Sequence, residues 1–266
     1  MSSIKPIGIF DSGIGGLTVA GAIQKILPNE QLIYYGDTAH LPYGDKSSEA
    51  IKGYSINIAR FLLSQNWKMI VIACNTASSH AYDLLKKEIG HQVPIVSVIE
   101  PVVNALVKAG KYRHVGIIGT KSTVQSGLYD RQINLADARI KVSSLATPLL
   151  APMIEEGYFD DNISHTVIRE YLSSPKLKNI DSLVLACTHY PLIKTEISDY
   201  YKGKVDIINT AEIVADYLKD LLEQMDLLNL SPPKHHRFYV SDYTKSFEKS
   251  TRIFFGEKIS LTHKII

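Results

Sequence analysis

Two thiols carry the chemical interest of this sequence. Cys74 closes the apolar run VIAC and is followed by Asn75 and Thr76, while Cys187 closes LVLAC and is followed by Thr188 and His189. They are the only cysteines in 266 residues. A lone cysteine at a strand end is more often an inert, small, buried side chain. Two features set these apart. Each is followed by hydroxyl or amide side chains able to hold a polar ligand, and the arrangement occurs twice. A thiol at the polar end of a buried strand is placed for proton transfer or nucleophilic attack. A helix starting just beyond it would favour the thiolate and lower its pKa from about 8.5. The pair does not read as a disulfide framework, and no close Cys/His pair recurs to complete a zinc site.

Other groups gather near such strand ends. DSGIGG (11–16) is a glycine-rich turn that would put an anion at the start of a helix. It matches neither G-x-G-x-x-G nor the P-loop, and a plain strand-to-helix turn explains it equally well. Asp11, a carboxylate at the end of a strand, reads as an N-cap or as a proton relay to a neighbouring thiol. His189 lies two residues after Cys187 and can share its cleft and tune its proton, although a single histidine in a turn is often structural. Glu155, in PMIEEGYF, carries only a surface reading from the sequence.

The elements that must position these residues are short apolar runs alternating with amphipathic segments. IGIF (7–10), LIYYG (32–36), MIVIAC (69–74), PIVSVI (94–99), HVGIIG (114–119), SLVLAC (182–187) and VDIIN (205–209) read as strands buried on both faces. GLTVAGAIQKIL (16–27), SEAIKGYSINIARFLLSQ (48–65) and EIVADYLKDLLEQM (212–225) read as helices. The alternation predicts an α/β protein with mostly parallel sheets flanked by helices. A weak internal repeat sets GIFDSG (8–13) against GIIGT (116–120), and each half later carries its cysteine. Two related lobes follow, residues 1–99 with 210–266 and residues 100–209, divided at Glu100-Pro101 and crossed again near 209. Asp11-Ser12-Gly13, Cys74-Asn75-Thr76, Gly119-Thr120 and Cys187-Thr188-His189 all fall at strand carboxyl ends, where open parallel sheets bind ligands. If the lobes face each other, these ends converge on one cleft.

Composition narrows the classes. A net charge of +2, with 45% hydrophobic and 21% charged residues, is ordinary for a globular protein. It offers no electrostatic case for nucleic acid or a membrane surface as partner. The small basic spots, Lys86-Lys87 and Lys234 to Arg237, read as solvated surface. MSSIKPIGIFDSG lacks a secretory core, no apolar run is long enough to span a bilayer, and two cysteines suit a reducing cytoplasm.

Jointly, IGIFDSGIGGLTV, YYGDTAHLPYG, VIACNTAS, GIIGT with Thr123, PLLAPMIEEG and LACTHYPL strongly resemble the glutamate racemases, cofactor-independent enzymes of bacterial cell-wall synthesis. The resemblance implies two pseudo-symmetric lobes with the substrate between them. It implies Cys74 as the base for D-glutamate and Cys187 as the base for L-glutamate. Asp11 is then expected to assist Cys74, and His189 to assist Cys187, with Glu155 near the second pair. Asp11, Ser12, Pro42, Tyr43, Gly44, Asn75, Thr76, Thr120, Thr188 and His189 are the expected substrate-holding set. The resemblance also implies no cofactor and no metal, and family members are often dimers. Some relatives carry an N-terminal extension used for activation by a cell-wall precursor; with the first strand near residue 7, that mode is not expected here. One departure stands out. The family commonly has an acidic residue and a small one at the end of the strand VDIIN, where this chain has Asn209-Thr210. Asparagine keeps the capping role and loses the charge. The rival readings are a racemase for another acidic amino acid such as aspartate, and a non-catalytic two-lobed dicarboxylate sensor. The doubled cysteine argues against the sensor.

Overall fold

The computed structural model describes residues 2–233 and 235–266; Lys234, a member of the second basic spot, lies outside the described residues. Along the chain the strands are β1 (Ile7–Asp11), β2 (Leu32–Gly36), β3 (Met69–Ile72), β4 (Ile95–Ser97), β5 (His114–Gly119), β6 (Lys141–Ala146), β7 (Ser182–Ala186), β8 (Asp206–Ile208), β9 (Arg237–Val240) and β10 (Thr262–His263). The first helices are α1 (Leu17–Ile26), α2 (Ser48–Leu63), α3 (Asn75–Ile89), α4 (Ile99–Ala109), α5 (Lys121–Ser126) and α6 (Leu128–Ala136). They are followed by α7 (Leu150–Glu155), α8 (Asn162–Leu172), α9 (Lys194–Tyr201), α10 (Thr210–Gln224) and α11 (Lys245–Phe255).

Two sheets form, and every strand pairing in them is parallel. The first runs β10-β9-β2-β1-β3-β4 and the second β6-β5-β7-β8. Stripped of β9 and β10, the two orders are the same: second strand, first, third, fourth. The repeat seen faintly in the sequence is therefore a repeat of topology. In each sheet the first strand lies between the second and third, which makes its carboxyl end the switch point where loops leave in opposite directions and open a crevice.

The near-continuous hydrophobicity of the strands follows from their position. In the first sheet Ile7, Ile9, Leu32, Tyr34, Met69 and Val71 point into the core shared with the second lobe, while Phe10, Ile33, Tyr35, Ile70 and Ile72 point into a separate core under α2 and α3. Alternate residues fill opposite cores, so no polar stripe is left over. The shared core runs through both sheets without a break, and α10 packs between α1 and α4 to close it.

The structure shifts some boundaries. β3 and β7 end before their cysteines, leaving each thiol in the turn beyond. β6 (KVSSLA) escapes the apolar pattern because it is a polar, half-buried edge strand, and β9 and β10 are too short to announce themselves. Glu100-Pro101 lies in the first turn of α4, where proline is tolerated, and not in a linker. α10 begins at Thr210, capped by the Asn209 side chain, which accepts from the Ala211 amide at 3.1 Å. The capping role expected of Asn209 is met without a charge. Lys86 and Lys87 are exposed, and among the described residues no helix is long and apolar enough to cross a membrane.

Candidate active site

The carboxyl ends of β1, β3, β5 and β7 enclose a cavity of about 270 Å³. The first lobe supplies Ser12, Gly13, Leu41, Pro42, Tyr43, Gly44, Cys74, Asn75 and Thr76 to its wall. The second supplies Thr120, Ala151, Pro152, Glu155, Ala186, Cys187, Thr188 and His189. Every residue of the expected catalytic and substrate-holding sets reaches this wall except Asp11. That carboxylate is fully buried behind it, accepting from the Gly13 amide at 3.0 Å, and its Oδ1 has no hydrogen-bond partner among the described residues. Asp11 is thus misplaced in the expected substrate-holding set. Its position at the end of a strand that is buried along its whole length tucks it under the glycine turn instead of into the cleft.

Cys74 caps α3. Its Sγ accepts from the Ala77 amide at 3.4 Å and lies 3.6 Å from Ser12 Oγ. The expectation of a lowered pKa fails here. Burial in the cavity, reinforced by the negative charge of Asp11, pushes the thiol up to about 12, and the Ala77 and Ser12 hydrogen bonds only soften the rise. Asp11 is itself raised by burial, against the opposing His189 charge and the amides of Gly13, Gly16 and Ser12.

Cys187 is served differently. No α-helix starts after it; a 3₁₀ turn, Tyr190–Ile193, follows and α9 begins only at Lys194. The expected helix N-terminus is replaced by an imidazole. His189 Nδ1 lies 3.6 Å from Cys187 Sγ, and Nε2 lies 2.8 Å from Glu155 Oε1. Burial opposes the imidazolium, but hydrogen bonds to Cys187 and Glu155 and their negative charge outweigh it and push His189 up to about 10. His189 stands between a carboxylate and a sulfur, an arrangement that favours its protonated form. Glu155, a surface glutamate on sequence grounds, stands at the last turn of α7 with its side chain turned to this pair.

Polar contacts close the lobes over the cavity. Thr76 Oγ1 meets Thr120 Oγ1 at 2.9 Å and Thr123 Oγ1 at 3.0 Å, and Thr120 bonds Thr123 at 3.0 Å, giving a ring of three hydroxyls. His80 Nε2 meets Ser122 Oγ at 2.8 Å, and Thr18 Oγ1 donates to the Thr188 carbonyl at 2.8 Å. Tyr129 donates to Asn75 Oδ1 at 2.7 Å. Gly15 lies so close to the second lobe that a Cβ on it would stand 2.6 Å from both His189 Nδ1 and Thr188 Oγ1. Phe254 of α11 presses edge-on against His189, with ring centres 5.2 Å apart. Sequence reasoning missed Leu41, Ala151, Pro152 and Tyr129. The first three carry no chemistry of their own, and nothing local to Tyr129 announces a partner 54 positions away.

Among the described residues no lysine or arginine is on the wall. A negatively charged ligand would be held by hydroxyls, the Asn75 amide and backbone N–H groups in a low-dielectric site, where such bonds are strong. Among the described residues no three His, Cys, Asp or Glu side chains gather to hold a metal ion. What the wall offers is two thiols, one from each lobe, on one small cavity.

Comparison with known proteins places the chain in a family. The sequence profile of the Asp/Glu/Hydantoin racemase family matches residues 17–218. Glutamate racemase from Geobacter metallireducens is 39% identical over 262 residues, covering 98% of this chain and 96% of that one. Glutamate racemase from Chlorobaculum tepidum is 40% identical over 260 residues, covering 97% and 95%. The crystal structure of glutamate racemase from Francisella tularensis in complex with D-glutamate superposes with a TM-score of 0.92 at 38% identity, covering 99% of this chain and 98% of that one.

Two outcomes follow from the site. Gly15→Ala forces His189 and Thr188 away from the first lobe. Turnover is expected to fall by about 100-fold, the scale set by a displacement near 1 Å, with little change in the thermal melt. Activity within threefold of wild type would show that the lobes need not meet there. The second outcome concerns pH. The folded-state pKa of His189 is raised, so its contribution to stability is complete below the ordinary 6.5 and is lost as pH rises through about 10. Glu155→Gln removes one negative charge and leaves a weaker acceptor, so ring-nitrogen NMR should record a lower His189 pKa, and the alkaline loss of stability, which starts above 6.5 in both proteins, should be smaller and end at lower pH. An unchanged titration would contradict the assigned cause.

Proposed function

The chain belongs to the Asp/Glu/hydantoin racemase family, among its glutamate racemases, and we propose that it interconverts L- and D-glutamate by passing protons between two thiols across the α-carbon. The observation that carries this reading is the pair Cys74 and Cys187, brought to one 270 Å³ cavity by topologically equivalent strand ends. A racemase that works in both directions needs an acid–base group on each face of one carbon, and two thiols answer that need.

The environments suggest the division of labour. For L-glutamate, Cys187 takes the α-proton with the His189 cation as its counter-ion, and the electron pair stays on the α-carbon and its carboxylate. Cys74, kept as a thiol by burial and Asp11, returns a proton from the opposite face and gives D-glutamate. For D-glutamate the roles reverse: Cys74 first gives up its proton to solvent and Cys187 takes one up, so that Cys74 is the base and Cys187 the acid. The substrate's ammonium group brings a positive charge into the cavity and offsets both burial and Asp11. The carbanion has no electron sink on this reading and needs no cofactor. It is stabilised by exclusion of water and by the donors Ser12, Asn75, Thr76, Thr120, Thr188 and the Tyr43-Gly44 segment. Residues 1–99 with 210–266 form one lobe and 100–209 the other, and substrate enters when they part. In the cell such an enzyme supplies D-glutamate for peptidoglycan, working in the cytoplasm, and so bears on cell wall and cell shape.

Aspartate is the nearest alternative substrate. It is one methylene shorter, a difference worth about 1–3 kcal/mol in a pocket. Purified protein without added cofactor is expected to racemise D-glutamate in preference to D-aspartate, followed by polarimetry. Cys74→Ser and Cys187→Ser are each expected to abolish racemisation. Full activity in either serine variant would sink the two-thiol mechanism, and turnover of aspartate alone would overturn the substrate.

A further inference from the structure

We infer that Tyr129 is a positioning residue: from the second lobe it fixes the Asn75 amide so that the amide's NH₂ end is presented to a substrate carboxylate. The inference rests on the racemase reading for the identity of that carboxylate.

Asn75 is the first residue of α3, buried, and on the cavity wall. Its Oδ1 is taken by the Tyr129 hydroxyl at 2.7 Å, while its Nδ2 is buried with no partner among the described residues. A buried amide NH₂ left unpaired is costly, and the cavity that the residue lines is where a ligand could supply its partner. The two ends of a carboxamide have nearly the same shape and opposite hydrogen-bonding character. With its oxygen tied, the amide can offer a ligand only donors, and the ligand that suits donors is a carboxylate. Tyr129 itself does not reach the wall. It is buried in the first turn of α6, and burial raises its phenol well above the ordinary value, so it remains a protonated donor at any working pH. The bond joins α6 of one lobe to α3 of the other, so the orientation of the amide depends on a contact between the lobes.

A double-mutant cycle tests this. In Tyr129→Phe the amide loses its tether, and KM for D-glutamate is expected to rise about fivefold with kcat changed less, the scale of one hydrogen bond. In an Asn75→Ala background the same Tyr129→Phe change is expected to have no effect on KM, because the group through which it acts is gone. Thermal melts of all four proteins report any general loosening, which would move stability without the split between KM and kcat. An unchanged KM in Tyr129→Phe, or an equal rise in the Asn75→Ala background, overturns the inference while leaving the racemase reading intact. Wild-type protein that neither binds nor turns over glutamate overturns both.

Discussion

The structure depends on burying ionisable side chains where two lobes meet. A buried charge or thiol is costly to desolvate, and several of these groups have part of their environment supplied by the opposite lobe. Asp11 of the first lobe feels the charge of His189 in the second. Thr76 closes a hydroxyl ring with Thr120 and Thr123, and Gly15 leaves room for the imidazole by having no side chain. Parting the lobes would hydrate the thiols and undo these contacts together. Closure and acid–base chemistry are thus one physical condition.

Within that condition the two thiols are equivalent in topology and unlike in electrostatics. Each stands just beyond the third strand of its sheet. Cys74 has a helix N-terminus and a buried carboxylate, with the carboxylate and desolvation prevailing. Cys187 has an imidazole held by a glutamate and no α-helix. One side favours a proton on sulfur and the other supplies a cation beside it. On the proposed mechanism, that asymmetry would let a pseudo-symmetric fold start its cycle from a defined protonation state.

Much of this was legible in the sequence because continuous burial leaves a plain signal. The bounds of β2 and β5 are legible to the residue, since these strands are buried along all or nearly all of their length. The motifs that follow them named the cavity wall almost completely. The failures have physical causes. β6, β9 and β10 lie toward sheet edges, where the pattern fades. The thiol pKa of Cys74 was misjudged because a helix N-terminus is visible in sequence and desolvation is not. Asp11 was placed in the cleft because its strand end points there, although its side chain turns beneath Gly13. Tyr129 was invisible because it acts only through a residue on the other lobe.

The central claim is that the two thiols serve opposite faces of one α-carbon. It is tested most directly by running the reaction in ²H₂O and comparing early product with unreacted substrate by mass spectrometry. Two bases predict product carrying deuterium at the α-carbon while residual substrate keeps its protium. Product that retains the substrate's own α-proton, or deuterium appearing equally in both enantiomers from the start, would contradict it.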